Sequence, residues 1–312
     1  MTMKAIDDFL AFRDDEGLSN LDKIRSNQHV IRRVETTDKN KSYEDADEVV
    51  SAGDYPPGIV LEGDKLIGFG IHIFNEDVYP LKSFEIYFRN LGLAGSLDLS
   101  GMEDLVFIDV YHNRLSGIGL EGLKSLRILG IQDNRIEGID VSGLPVCQGI
   151  DAGKNGLKEI DTSHNPELVE LYINDNDISR VDISHNPKLK YFYCHNNRIS
   201  SIDATGNPLL RHLNATCNPM KEIRAFAPQR EEQLPLELYA GEGGHVGMQF
   251  NPVYNAQWKE TGEWQQTYYA YPEDGYSFTC WTENGEQISG EPVLDDEYGT
   301  SRILTAHFEY NK

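Results

Sequence analysis

The sequence predicts a solenoid of 21-residue repeats built on a parallel β-sheet, with a small all-β domain at its C-terminal end. Three observations carry this. Asn113, Asn134, Asn155, Asn176, Asn197 and Asn218 recur every 21 residues. Apolar residues recur at fixed offsets from them, so that each unit supplies one layer of a core it could not close alone. The period stops after Ile223, and aromatic residues and alternating polar strands take over.

The columns of the grid define the repeat. Leu105, Leu126, Cys147, Leu168, Leu189 and Leu210 share one position, and Ile108, Leu129, Ile150, Leu171, Phe192 and Leu213 share another. Val110, Ile131, Ala152, Ile173, Cys194 and Ala215 form a third column two residues on. Alternation around the second column reads as a short strand, and the remainder of each unit turns the chain back to the next. The asparagine reads as a buried turn residue whose amide satisfies backbone groups inside the coil, so Asn176→Ala is expected to destabilise and Asp175→Ala to cost little. SHNP occurs at Ser163–Pro166 and again at Ser184–Pro187, with TGNP and SGLP as relatives at Thr205–Pro208 and Ser142–Pro145. Because histidine changes while the turn persists, the motif reads as a repeat turn rather than a metal site.

The frame L-x-x-L-x-L-x-x-N, seen in "LKSLRILGIQDN", "PELVELYINDN" and "PKLKYFYCHNN", resembles the leucine-rich repeat family, and its short bacterial form in particular. The resemblance covers about residues 80 to 225 and implies a leucine-rich repeat solenoid over 58–225. "GIVLEGDKLIGFGIHIF" reads as the apolar hairpin that opens such arrays, and Gly92 falls at the asparagine position of an irregular first unit. Residues 1–57 read as a helical N-terminal cap, from Ile6, Phe9, Leu10 and Phe12, followed by a polar linker.

Residues 226–312 are β-rich. "TYYAYPEDGYSFTCWTENGEQIS" and "LTAHF" resemble the internalin B-repeat, with Ala270, Pro272, Gly275, Tyr276, Phe278, Trp281, Gly285, Leu304, Thr305, Ala306 and Phe308 carrying the match. The domain is expected to fold around Tyr276, Phe278 and Trp281. An internalin-like organisation implies an exported bacterial protein that acts in adhesion or as a surface scaffold. That sets the expected location as extracellular or at the cell surface, with the export signal absent from this chain.

Composition narrows the partners. With 51 acidic against 28 basic residues and a formal net charge of −23, the chain opposes non-specific attraction to nucleic-acid phosphates. No apolar run is long enough for a transmembrane helix. Cys147, Cys194, Cys217 and Cys280 form no C-x-x-C pair and read as free thiols. A monomer without cofactor or metal is expected.

Residues alternating with the ladder face the open, concave side of the sheet. Tyr172, Asn174, Tyr191, Tyr193, His195, His212 and Asn214 concentrate aromatic area and directional polar groups over three successive units, a combination suited to a protein or glycan ligand, of a host among others. A spacer role with binding elsewhere is the competing reading. A hydrolytic enzyme is a third: Cys217 with His195 and His212 would supply a thiol and imidazole, and Asp151 with Glu170 a carboxylate pair. Cys217 occupies the column of His112, Asp133, Lys154, Asp175 and Asn196, whose variability reads as surface, so no catalytic residue is assigned.

Overall fold

The computed structural model describes residues 84–227 apart from 104, then 234–254, 260–296 and 302–311, with short pieces at 11–13, 17–20, 23, 59–62 and 65–69. Most of the expected N-terminal helix and the polar linker lie outside the described residues.

The strands follow the chain as β1 (Ile59–Glu62), β2 (Lys65–Phe69), β3 (Phe84–Tyr87), β4 (Ala94–Asp98), β5 (Leu105–Asp109), β6 (Arg114–Gly119) and β7 (Ile128–Gly130). β8 (Gly149–Asp151), β9 (Glu170–Tyr172), β10 (Tyr191–Tyr193), β11 (Ser201–Asp203) and β12 (His212–Asn214) continue the repeats. After them come β13 (Glu222–Ala227), β14 (Leu234–Ala240), β15 (Gly244–Tyr254), β16 (Glu260–Pro272), β17 (Tyr276–Glu283), β18 (Glu286–Ser289), β19 (Val293–Asp296) and β20 (Arg302–Tyr310).

The array is an all-β solenoid with a 21-residue period. Strands β5, β7, β8, β9, β10 and β12 lie parallel, and the central ladder residues pair in line: Ile108 with Leu129, Ile150, Leu171, Phe192 and Leu213 in succession. All three apolar columns are buried. β1 and β2 form the expected antiparallel hairpin.

Each repeated asparagine ties its own corner to the coil before it. Asn176 Oδ1 accepts from Leu157 N at 3.0 Å, and its Nδ2 donates to the carbonyls of Ala152, Ile173 and Asn174 at 3.0 to 3.2 Å. Asn113, Asn134, Asn155 and Asn197 make the corresponding bonds in their own coils. One side chain thus answers one N–H and three C=O groups that the corner turns away from water.

A left-handed residue precedes each of these asparagines. His112, Asp133, Lys154, Asp175, Asn196 and Cys217 all have φ between 50° and 56°. The column read from sequence as merely variable is conformationally restricted, and a non-glycine residue there carries roughly 1–2 kcal/mol of strain. Alanine at 175 would keep that strain and remove the carboxylate that the side-chain amides of Asn174 and Asn196 donate to.

The first unit is 22 residues long. A bulge between Phe84 and Glu85 shifts the register, so that Ile86 pairs with Ile108. The left-handed residue is then Asn90, and Leu91, not Gly92, occupies the asparagine position. Leu91 N and Leu93 N both donate to Asn113 Oδ1. Asn20 also closes on this end, exchanging two hydrogen bonds with the Ala94 backbone at 2.9 and 3.0 Å.

The SHNP asparagines form a second buried ladder. Asn186 Nδ2 donates to Thr162 O and Asn165 O, and Asn207 Nδ2 to Ile183 O and Asn186 O. The same grid position holds Leu123 and Leu144 in earlier coils, where a plain apolar contact fills the space. His164 and His185 point outward and are exposed, each beside its own serine hydroxyl. The serine or threonine of the turn donates to an aspartate two residues back, as Ser163 N does to Asp161 Oδ1 at 2.9 Å. Those hydrogen bonds hold the carboxyls of Asp140, Asp161 and Asp203 below the ordinary aspartate range.

Two sheets cross from the repeats into the C-terminal residues without a break. β12 pairs antiparallel with β15, extending the long sheet through β16 to β19. On the opposite side β11 pairs with β13, leading into β14, β20, β17 and β18. The space between holds one core, continuous from Leu213 and Met220 to Phe250, Tyr268 and Trp281. Phe278 packs at its margin, 5.8 Å from the Trp281 ring, and Tyr276 stacks edge-on against Tyr310.

Two stability tests follow from this architecture. Asn176→Ala should cost about 1–3 kcal/mol through stranded backbone groups, while Asp175→Gly, which relieves the left-handed strain, should stay within about 0.5 kcal/mol of the parent. Reversible urea denaturation reads both, and equal losses would contradict the assigned roles. Trp281→Ala should cost about 3–5 kcal/mol, and because the core is shared, the loss should appear in a single transition.

Candidate functional site

The open face of the long sheet is built by alternation. In β9 and β10, Leu171 and Phe192 point into the core, so Glu170, Tyr172, Tyr191 and Tyr193 are turned to the other side and are half-buried there. Parallel register sets Tyr172 beside Tyr193, and Tyr191 beside His212. The Tyr172 and Tyr193 rings are 5.0 Å apart at 45°, and Tyr191 stacks on His212 at 4.4 Å and 21°.

The polar members are less available than alternation implies. His212 and Asn174 retain only 7% and 9% of their surface, the first under the Tyr191 ring and the second bonded to Asp175 at 2.7 Å. Asn214 Oδ1 accepts from the Thr216 hydroxyl at 2.8 Å. His195 lies edge-on to Tyr193 at 6.4 Å, its Nδ1 has no hydrogen-bond partner, and burial lowers its pKa. All seven residues read from sequence thus lie on β9, β10 and β12 or within two residues of their ends, with the three tyrosines half-buried.

An acid-and-tyrosine network adjoins them. Asp109 is 1% exposed, because Arg89 and Tyr111 close over it. The Tyr111 ring then crosses Gly130, where a Cβ would meet Tyr111 Cε1 at 2.5 Å, and its hydroxyl reaches Asp151 Oδ2 at 2.7 Å. Glu170 lies over Gly149, its Cβ and Oε2 each 3.9 Å from where a Cβ on Gly149 would stand. Burial raises the carboxyl pKa of both Asp151 and Glu170, and for Glu170 the charge of Asp151 adds to it. A carboxyl whose folded pKa lies above its unfolded value favours unfolding as pH rises through the folded value. These charges therefore work against stability near neutrality. The glycines at 130, 149 and 153 were the available sequence signal, since each marks a close approach by a neighbouring side chain.

The face does not end at β12. Asn214 pairs with Gln249, Gln249 with Thr267, and Thr267 with Asp295. Tyr269 and Tyr271 therefore share the side of Asn214, and they stack at 6.1 Å and 6°. Tyr271 lies across Gly247, and its hydroxyl accepts from Cys217 N at 3.4 Å. Sequence reasoning missed this extension because β15 and β16 leave the 21-residue grid.

The thiols separate by environment. Cys147 and Cys194 are buried ladder residues, and burial pushes the Cys147 thiol up to about 12 and raises that of Cys194. Cys217 is exposed on its left-handed corner. Among the described residues, no group of three or more His, Cys, Asp or Glu side chains is arranged to hold a metal ion.

No family model matches the chain, and no curated protein matches it. Solved structures do. One is described as the functional domain of InlJ from Listeria monocytogenes, including a cysteine ladder, at 17% identity over 69% of this chain and 55% of that one, with a TM-score of 0.36. An internalin, inlF, from L. monocytogenes strain 4b F2365 matches at 21% identity over 42% of this chain and 44% of that one, with a TM-score of 0.32. YopM from Yersinia enterocolitica WA-314 matches at 23% identity over 45% of this chain and 34% of that one, with a TM-score of 0.38. The chain spans about half the length of the InlJ domain and less of the other two.

Brief iodoacetamide treatment of the native protein should alkylate Cys217 and spare Cys147 and Cys194 until denaturant is added. Peptide mapping gives the result, and native labelling of Cys194 would refute its place on the inward ladder.

Proposed function

We propose that this chain is a non-catalytic recognition protein of the leucine-rich repeat kind, acting at a bacterial surface or outside the cell, and that the open face of its long sheet takes a protein or glycan ligand. The observation that carries the reading is the register-aligned patch of Tyr172, Tyr191 and Tyr193. Its rings are half-exposed on the side of the sheet away from the core. Tyrosine offers large contact area with little rotamer entropy to lose, and an adjacent hydroxyl or imidazole adds direction. His195 lies beside this patch, edge-on to Tyr193 at 6.4 Å.

The spacer reading rests on the same ring pairs, since stacking across strands stabilises a sheet without any ligand. The two part company under mutation. After a screen of host proteins and glycans, the combined Tyr172→Ala and Tyr193→Ala variant should bind the best hit more weakly by about 2 kcal/mol or more, with an unchanged far-ultraviolet spectrum. Calorimetry on the intact chain measures this, and unaltered affinity would move recognition off this face.

A further inference from the structure

We infer that the ligand of this face is a basic one: an extended protein segment that places lysine or arginine side chains against Asp151 and Glu170, beside the rings of Tyr172 and Tyr193. This rests on the open-face reading above and narrows it to a ligand chemistry. Glycans without positive charge do not fit it.

The argument begins with charge. Along the open face, the described residues that β8, β9, β10, β12, β15, β16 and β19 turn outward include Asp151, Glu170 and Asp295 but no lysine or arginine. Arg89 reaches in at one end and is paired with Asp109. Acidic side chains are common on a chain of net charge −23, and on an exposed turn they need no explanation.

Asp151 and Glu170 are different because they are half-buried on adjacent strands of the open face, where the charge of Asp151 bears on Glu170, and Asp151 is held by the Tyr111 hydroxyl at 2.7 Å and Gly153 N at 3.3 Å. A desolvated like-charge pair is unfavourable unless something of opposite charge completes it.

The neighbouring groups supply the second, independent feature. The Tyr172 ring lies in register between Asp151 on one strand and Tyr193 on the next, tilted against the Tyr193 ring at 5.0 Å. A cation seated beside the carboxylates would also meet ring faces, the arrangement that attracts guanidinium and ammonium groups most strongly where water is excluded. The aromatic character continues along the face through Tyr191 to Tyr269 and Tyr271, with Gln249 between them. Such a track suits a strand whose alternate side chains point at the sheet.

The test uses the full chain and two synthetic heptapeptides, one with arginine at alternate positions and a twin with citrulline in their place. Citrulline keeps the shape and hydrogen bonds and removes the charge. At 0.15 M salt, calorimetry should show saturable one-to-one binding of the arginine peptide, with the citrulline twin at least about tenfold weaker. The combined Asp151→Asn and Glu170→Gln variant should lose a similar factor. A control, Asp161→Asn with Asp182→Asn, neutralises exposed turn aspartates off this face and should bind as the parent does.

Glu170→Gln alone should raise the melting temperature of the free protein at pH 7 while weakening the peptide, the signature of a charge kept for a ligand rather than for the fold. Equal binding of both peptides would overturn the inference. So would equal weakening by the control variant, absence of saturable binding at millimolar peptide, or a destabilised Glu170→Gln chain that binds normally. If both peptides bind equally and the double tyrosine variant loses both, the open-face reading stands and only the basic ligand falls.

Discussion

At the corner after each strand of the long sheet, the chain turns backbone groups toward the preceding coil, where water does not reach. Three carbonyls and one N–H would be stranded there, at a cost of several kilocalories per coil. One asparagine amide per coil meets them, as Asn176 does with Leu157, Ala152, Ile173 and Asn174. The amide must enter from a fixed direction, and the residue before it pays by adopting a left-handed backbone. Strand register, the spacing of the inward ladders and the alignment of tyrosines on the open face all inherit their regularity from this one arrangement.

That dependence explains what could be read in advance. The asparagines and their apolar columns are legible because burial leaves them few chemical alternatives, and period 21 emerges from them directly. The left-handed column is hidden because the constraint lies in φ rather than in side-chain type: histidine, aspartate, lysine, asparagine and cysteine all occupy it. The first unit misleads for a similar reason, since a backbone bulge at Phe84 and Glu85 leaves no residue-type signature and displaces Gly92 by one place. The second asparagine ladder was visible as a turn motif but not as a buried one, because leucine fills the same position two coils earlier.

The candidate site was legible in outline and misjudged in weight. Alternation alone places Tyr172, Tyr191 and Tyr193 on the open face, but it cannot tell that His212 and Asn174 are covered by neighbours. Nor can it show Tyr111 crossing the gap over Gly130 to meet Asp151, a contact 40 residues apart in sequence. Asp151 and Glu170 drew attention as a pair of carboxylates. Their environment, tyrosines and glycines with burial that raises both carboxyl pKa values, is not visible from residue type alone.

The seam at β12 and β15 has a thermodynamic corollary. A stack in which each coil touches only its neighbours frays from its termini, because an end coil lacks half of its contacts. Here the last coil is clamped on both sides, through Leu213 and Phe250 in one sheet and Ile202, Ile223 and Leu238 in the other. Fraying is thereby suppressed at one terminus of the stack, and opening becomes directional. The coils bearing Tyr172, Tyr191 and Tyr193 lie next to the clamp, where amide exchange is expected to be slowest, so the part of the molecule expected to open last holds their rings in mutual register.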